Sequence, residues 1–285
     1  MSPLTIAPPC PPARGSGAQP PPIDWSAFDA AAVDPEVVSI VRATCLLESR
    51  SARYGAYLER VLPEAFASEI NGWADEEAHH GRALRRWLEL ADPGFDVDRA
   101  AAGFDLVPYH QGEGAPRRGG AAQELLSRCV VEALASTYYR ALRDRTREPL
   151  LRQLCARLMA DERRHLELFS HLLSAVGPLT TTQRIRTIVE RIRELDDDQI
   201  VQASNWADHD GCGDRRTVRD RHVVRVLSMH RFADLRYAHD LLWGLTCRPP
   251  ARGFPRLASA FGLAIIRTQQ VLATRRLRTP HRFPV

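Results

Sequence analysis

Two short stretches hold the densest chemistry in the chain. WADEEAHHG, residues 73–81, sets three acids and two histidines in nine positions, and ADERRHLEL, residues 160–168, repeats the theme. In each, a glutamate precedes a histidine by three: Glu77 and His80, Glu162 and His165. On a helix this spacing puts both side chains on one face, a turn apart, where they can share an ion. A single Glu-x-x-His pair occurs by chance, but these two have matched neighbours. Glu48 lies 29 residues before Glu77, and Glu132 lies 30 before Glu162. Pro63 and Pro149 mark turns near the midpoints, so each segment runs out and back to the same level. The two halves also repeat one another. Glu48 to Glu132 is 84 residues, and Glu77 to Glu162 and His80 to His165 are 85 each. Cys45 and Cys129 each stand three before the lone glutamate, as an internal duplication would leave them.

The flanks LLE and CVVEAL are apolar, so four carboxylates and two imidazoles are expected at one level of a buried interior. Each uncompensated buried charge costs several kcal/mol. Two divalent cations would offset four glutamates. Mixed carboxylate and imidazole donors suit iron or manganese. The six cysteines, at 10, 45, 129, 155, 212 and 247, form no CxxC pair, which disfavours a thiolate zinc or rubredoxin-type iron site. Free thiols, mostly buried, are expected instead. Two competing readings stay open: solvent-facing glutamates with incidental histidines, and a shifted register using Glu76 and His79, also three apart. The 85-residue register favours Glu77 with His80.

The elements that would position these residues are helical. Residues 1–24 form a Pro-rich tail expected to be disordered, with eight of the twenty prolines in the first 22 positions. Asp34-Pro35 is a helix start, and helical periodicity continues to about Leu62. A second helix runs from Pro63 to about Ala91. Residues 92–120, rich in Gly, Pro and Asp, read as a long connection. A third helix covers about 121–147, and a fourth runs from Pro149 to about Val176, ending at Gly177-Pro178. Two helical hairpins joined by one long crossover make an all-α, ferritin-like four-helix bundle over residues 25–180. Further helices, at roughly 182–205, 215–246 and 255–276, form an accessory region, 181–285, packed on the bundle. No strand alternation stands out.

The motifs resemble those of the ferritin-like di-iron carboxylate proteins, and most closely the soluble acyl-carrier-protein desaturases. There the first motif reads like W-T-A-E-E-N-R-H-G and the second like A-D-E-K-R-H-E; here they are WADEEAHHG and ADERRHLE. The resemblance covers residues 34–176. It implies a di-iron oxidoreductase that activates O2 against an organic substrate, with Glu48, Glu77, His80, Glu132, Glu162 and His165 as metal ligands. Glu77 and Glu162 would bridge two iron ions, with manganese an alternative, and Glu48 and Glu132 would be terminal. It further implies that Glu76 and Asp161 accept the outer N–H of the opposite histidine, and that Arg164 pairs with such an acid. Partners implied are an external electron donor and a small or acyl-type substrate. The chain departs from the pattern at His79, in the place of an arginine, and at Ala135, in the place of a threonine. Other function classes compete: a rubrerythrin- or ferritin-like protein handling iron or peroxide, or a bundle with a purely structural metal site. The missing rubredoxin cysteines count against the classical rubrerythrin form.

The rest of the chain bounds the partners. All 39 basic residues are arginine, so lysine Schiff-base chemistry and a phosphate-loop lysine are excluded. A net charge of +4 is too small to argue for nucleic acid. No apolar run nears the ~18 residues of a membrane span, and no signal peptide is evident, so a cytoplasmic protein is expected. The C-terminal GLAIIRTQQVLATRRLRTPHRF is apolar on one face and basic on another; helix packing is the default, with a membrane-surface or acidic-partner contact the alternative. Homo-oligomerisation is left open. Tyr139, seven after Glu132, is expected as a core tyrosine before a redox one. Trp73 is expected to pack over the site, and His209, His222, His230 and His239 to be ordinary surface or packing residues.

Overall fold

The computed structural model describes residues 22–106, 116–193, 198–247 and 254–278. These form eleven α-helices and no strand. The bundle consists of α1 (Pro35–Glu48) with α2 (Ser51–Val61), α3 (Ala67–Ala91), α5 (Ala121–Arg145) and α6 (Pro149–Val176); α4 (Val97–Asp105) lies in the crossover. The accessory helices are α7 (Thr181–Arg193), α8 (Asp198–His209), α9 (Arg215–Met229), α10 (Phe232–Gly244) and α11 (Phe254–Arg278). The fold is the all-α, ferritin-like bundle with one long crossover that the pattern predicts.

Local signals explain the starts. Asp34 caps α1, its carboxylate accepting from Glu36 N, with Pro35 in the first turn. Glu148 caps α6 by accepting from the N–H groups of Leu150 and Leu151, and Pro149 follows it. Glu148 is fully buried and also takes the Trp87 indole N–H at 2.7 Å, tying the start of α6 to α3.

Several boundaries differ from the sequence reading. The first helix does not continue to Leu62; it breaks at Ser49-Arg50, where Arg50 N donates to Leu47 O in a tighter turn. Gly81 of α3 approaches this break so closely that a Cβ there would lie 3.2 Å from Ser49 N. The crossover is not bare loop. Asp96 caps α4, and Val97, Ala100, Gly103 and Phe104 bury its inner face. Gly103 lies under the Trp206 ring of α8, which a Cβ would meet at 2.3 Å, so only glycine fits. The helix expected over 215–246 is two, because Arg231 takes an extended conformation and donates its N–H to the Asp234 carboxylate, which starts α10. The pattern over 182–205 is likewise two helices, α7 and α8. Of the Pro-rich tail, residues 1–21 lie outside the described residues, while Asp24 N donates to Gln153 of α6.

Bundle helices and accessory helices meet through polar ties. Ser39 of α1 donates to Asp208 of α8 at 2.7 Å, and Arg42 donates to Ala207 O. Arg140 of α5 pairs with Asp234 of α10 at 3.0 Å, and Arg276 of α11 binds Asp220 of α9 through two nitrogens. Helix α11 leaves Ile265, Val271 and Leu272 exposed. Among the described residues, no helix is long and apolar enough to cross a membrane.

Candidate metal centre

Two apolar layers fill the bundle and leave one polar level between them. On one side lie Val37, Val41, Leu84, Leu88, Leu142 and Leu151. On the other lie Leu58, Ile70, Leu126, Phe169 and Leu173. Each helix therefore passes from one layer to the other through the positions singled out by spacing. All six residues converge there. Glu48, Glu77, His80 and Glu162 form one group of four that could hold an ion, and Glu77, Glu132, Glu162 and His165 form a second; within each group the ligand atoms lie within 4.8 Å of one another. Glu77 and Glu162 belong to both groups. Five of the six are buried, Glu132 completely, and Glu48 is partly exposed.

Both imidazoles turn Nδ1 inward. His80 Nδ1 lies 3.4 Å from Glu77 Oε2 and 3.4 Å from Glu162 Oε1. His165 Nδ1 lies 3.2 Å from Glu77 Oε1 and 3.6 Å from Glu162 Oε2. Their Nε2 atoms face outward to acids on the opposite helix. His165 Nε2 is 3.0 Å from Glu76 Oε2, and His80 Nε2 is 3.5 Å from Asp161 Oδ2. Arg164 touches both of these acids, at 3.3 Å and 2.6 Å. His79, by contrast, is exposed and turned to its own helix, with Nδ1 2.7 Å from Asp75 O. The shifted register would thus use one exposed histidine and an acid engaged with His165.

The inner face of this cluster is polar but unsatisfied. Among the described residues, His80 Nδ1, His165 Nδ1, Glu132 Oε2 and both Glu162 carboxylate oxygens are buried without a hydrogen-bond partner. Buried polar atoms in folded proteins are nearly always paired, so five orphans at one level fit a set of donors to metal. Electrostatics agree. Burial pushes the Glu48 carboxyl well above the ordinary range, and the neighbouring carboxylates add to it. Burial does the same to Glu132, against the pull of Arg128. Burial also acts upward on Glu77, but the imidazoles of His165 and His80 close against its oxygens outweigh it and hold the group well below the usual value. Burial opposes a charge on His165, yet its carboxylate partners push it up to about 12. The cluster balances itself with protons. Metal binding to such a set displaces those protons, and its affinity rises with pH.

Three side chains around the cluster matter beyond the sequence reading. Trp73 does more than pack: its indole N–H donates to Glu77 Oε1 at 2.7 Å. Tyr139 is fully buried, as a core tyrosine would be, and its hydroxyl donates to Glu48 Oε1. Arg128 was not singled out by the motifs. It donates from Nε to Glu132 Oε1 at 2.5 Å, and its guanidinium lies over the rings of Trp73 and Tyr54, at 4.5 Å and 5.0 Å. Its place four residues before Glu132, the spacing of a helical ion pair, was the available signal. Ala135 brings no hydroxyl to the site. Ser136 instead donates to Met159 O and meets Tyr237, and Thr137 donates back to Ala133 O. Cys45, Cys129 and Cys155 are free and buried, as expected.

No family model matches the chain. Among curated proteins it is 25% identical, over 143 residues, to "Putative acyl-(acyl-carrier-protein) desaturase DesA2" of Mycobacterium tuberculosis, matched in two strains. The aligned region is 48% of this chain and 48% of that relative, so the chain spans about half the length of the curated relatives it matches. This distant similarity and the buried carboxylate–histidine cluster fit a di-iron oxidoreductase at a coarse level.

Proposed function

We propose that the chain is a non-haem di-iron oxidoreductase that activates O2 to oxidise an organic substrate. The observation that carries this reading is the pair of four-residue groups sharing Glu77 and Glu162, with their inner atoms unpartnered. Glu77 and Glu162 would bridge two ions, Glu48 with His80 and Glu132 with His165 would complete the two ends, and manganese suits the same donors. The bound iron would supply the redox chemistry with O2; the protein supplies position, charge and dryness.

The chain's own residues have definable tasks in this reading. Glu76 and Asp161 hold the outer nitrogens of His165 and His80, which keeps both Nδ1 atoms turned inward. Trp73 fixes the rotamer of Glu77. Tyr139 holds a proton on its hydroxyl against Glu48, so a proton source lies beside the cluster although Ala135 provides none. The leucine and phenylalanine layers on both sides exclude water. A small or acyl-type substrate completes the reading, the acyl type by analogy with the relative's name, and the redox chemistry calls for an external electron donor.

The test begins with metal analysis of the purified chain, expected at about two ions per chain. The protein is then reduced without oxygen and exposed to O2. Consumption of a few equivalents with iron held at two per chain supports substrate oxidation. Iron accumulating well beyond two per chain supports storage instead. A reduced, iron-loaded protein inert to O2 and peroxide leaves only a structural metal. Added acyl carrier protein bearing a fatty-acyl chain should change the oxidation rate if the substrate is acyl-type.

A further inference from the structure

The duplication that aligns the six inner residues does not extend to the groups that hold the two outer carboxylates. Glu48 Oε1 accepts from the neutral hydroxyl of Tyr139. Glu132 Oε1 accepts from the guanidinium of Arg128, while Glu132 Oε2 is buried with no partner. Arg128 also lies 3.9 Å from Glu77 Oε1. Thr44 stands at the matching position of the first half, where its hydroxyl donates to Ile40 O and meets Tyr138. One end of the cluster thus contains a fixed positive charge, and the other end is held by a neutral donor.

Arg128 is not free to leave. Its side chain is 12% exposed and is enclosed by aromatic faces, with Phe169 at 5.8 Å in addition to Trp73 and Tyr54. These faces hold a cation by their quadrupoles as well as by packing. Two further arginines stay outside the inner carboxylates: Arg157 engages Asp161 behind His80, and Arg164 engages both Asp161 and Glu76, so it serves the two ends alike. A guanidinium in contact with Glu132 repels a cation placed at Glu132 Oε2, and within a buried site that repulsion is weakly screened.

We propose that Arg128 makes the two ends of the centre inequivalent, so that a divalent cation fills the Glu48–His80 end first and the Glu132–His165 end second and more weakly. This rests on the metal-centre reading above. Arg128 is a positioning residue: it directs Glu132 Oε2 inward and sets the charge that the second ion meets.

The test is an anaerobic titration of Mn2+ into the metal-free full chain, followed by calorimetry and electron paramagnetic resonance. The first equivalent should give the signal of an isolated ion, and the second should bind about 10- to 100-fold more weakly and convert it to a coupled pair, a difference of the size that groups around a ligand usually produce. Arg128→Gln keeps a donor for Glu132 and removes the charge; the second step should tighten by about tenfold or more, and the coupled signal should grow from the start of the titration. Arg128→Lys should retain two separate steps. A single affinity in the unsubstituted chain, or an unchanged separation in Arg128→Gln, overturns the inference. If Arg128→Gln does not fold, the order of filling decides: Glu132→Gln should spare the tighter step, Glu48→Gln should remove it, and the reverse order overturns the inference. Absence of any Mn2+ binding by the unsubstituted chain would instead be the failure of the metal-centre reading itself.

Discussion

The two halves of the bundle, α1–α3 and α5–α6, carry the same inner residues in different surroundings. At an offset of 84 or 85 residues, Glu48, Glu77 and His80 map onto Glu132, Glu162 and His165. At the same offsets Trp73 maps onto Leu158, Gly55 onto Tyr139, His79 onto Arg164 and Gly81 onto Leu166. Trp73 donates to Glu77, whereas Leu158 has no donor to offer, and both Glu162 oxygens are without partners. Arg164 serves both outer acids, while His79 faces solvent. The first helix of one half breaks directly after Glu48, but α5 runs unbroken through Glu132. The difference teaches that the inner set depends on register alone, while the groups that hold it are not repeated: Trp73 holds Glu77 and Arg128 holds Glu132 from their own helices, and Tyr139 reaches Glu48 from the opposite half.

The largest expected effect tests the shared pair. Glu162→Ala removes a member of both groups of four and should lose most of the bound metal. Glu59→Ala should lose none, since Glu59 is exposed and accepts from Asn71. Metal content by elemental analysis decides it, and equal retention in both variants sinks the assignment. Next comes the register. Glu77→Ala should abolish binding at both ends, while Glu76→Ala should weaken it only about 10- to 100-fold by freeing the His165 ring. The reverse ranking would move the site to Glu76 and His79.

How much of this was legible follows from the physics of each signal. The six residues could be found because a helical face, a turn at mid-length and a repeat are all periodic properties of sequence. Tyr139 could be placed on the right face, but not its hydroxyl on Glu48, since that contact crosses from α5 to α1 and depends on how far apart the helices sit. Arg128 carries little signal in the sequence because an arginine four before a glutamate is usually a solvated ion pair; only the aromatic faces of Trp73 and Tyr54 show that it is largely enclosed. The break at Ser49-Arg50 carries no proline or glycine. It is a tertiary effect, set where Gly81 approaches the backbone and where Arg50 reaches out to Gln199 of α8 and lies over Phe104 of α4. Helix α4 is hard to read in the sequence because nine residues among Gly, Pro and Asp give little periodicity, and its apolar face has meaning only against α1 and α8.

A third test sharpens the contrast in packing. Gly81→Leu installs in the first half the residue that the second half carries at the matching position. Leu166 fits there beside α5, but a side chain at Gly81 would press on the backbone of Glu48 and Ser49. Overpacking of this kind costs about 1–3 kcal/mol. Denaturant unfolding of the metal-free protein should show that loss, and an unchanged midpoint would mean that the break beside Glu48 yields easily.

The smallest expected effect concerns the accessory helices, which cover the first half through Asp208. This carboxylate of α8 accepts from Ser39 of α1 and pairs with Arg225 of α9, and Arg42 lies 3.9 Å away. Burial acts to raise its pKa, but the hydrogen bonds from Ser39 and Arg225, with the charges of Arg225 and His209, lower it below the ordinary value. A carboxyl with a depressed folded pKa stabilises the fold above its unfolded pKa of about 3.9 and loses that contribution as pH falls through the folded value. Asp208→Asn should therefore cost about 1–2 kcal/mol at neutral pH, the scale of a hydrogen bond to a charged group reduced for partial exposure. The gap between the two proteins should stay constant down to about pH 5, narrow below about pH 4 and close at still lower pH. Metal content at neutral pH should be unchanged, because Asp208 belongs to neither group of four. A gap that persists undiminished in acid would place its origin in packing between α8 and α1, and a variant that loses metal would show that the cover holds the first half of the centre in place.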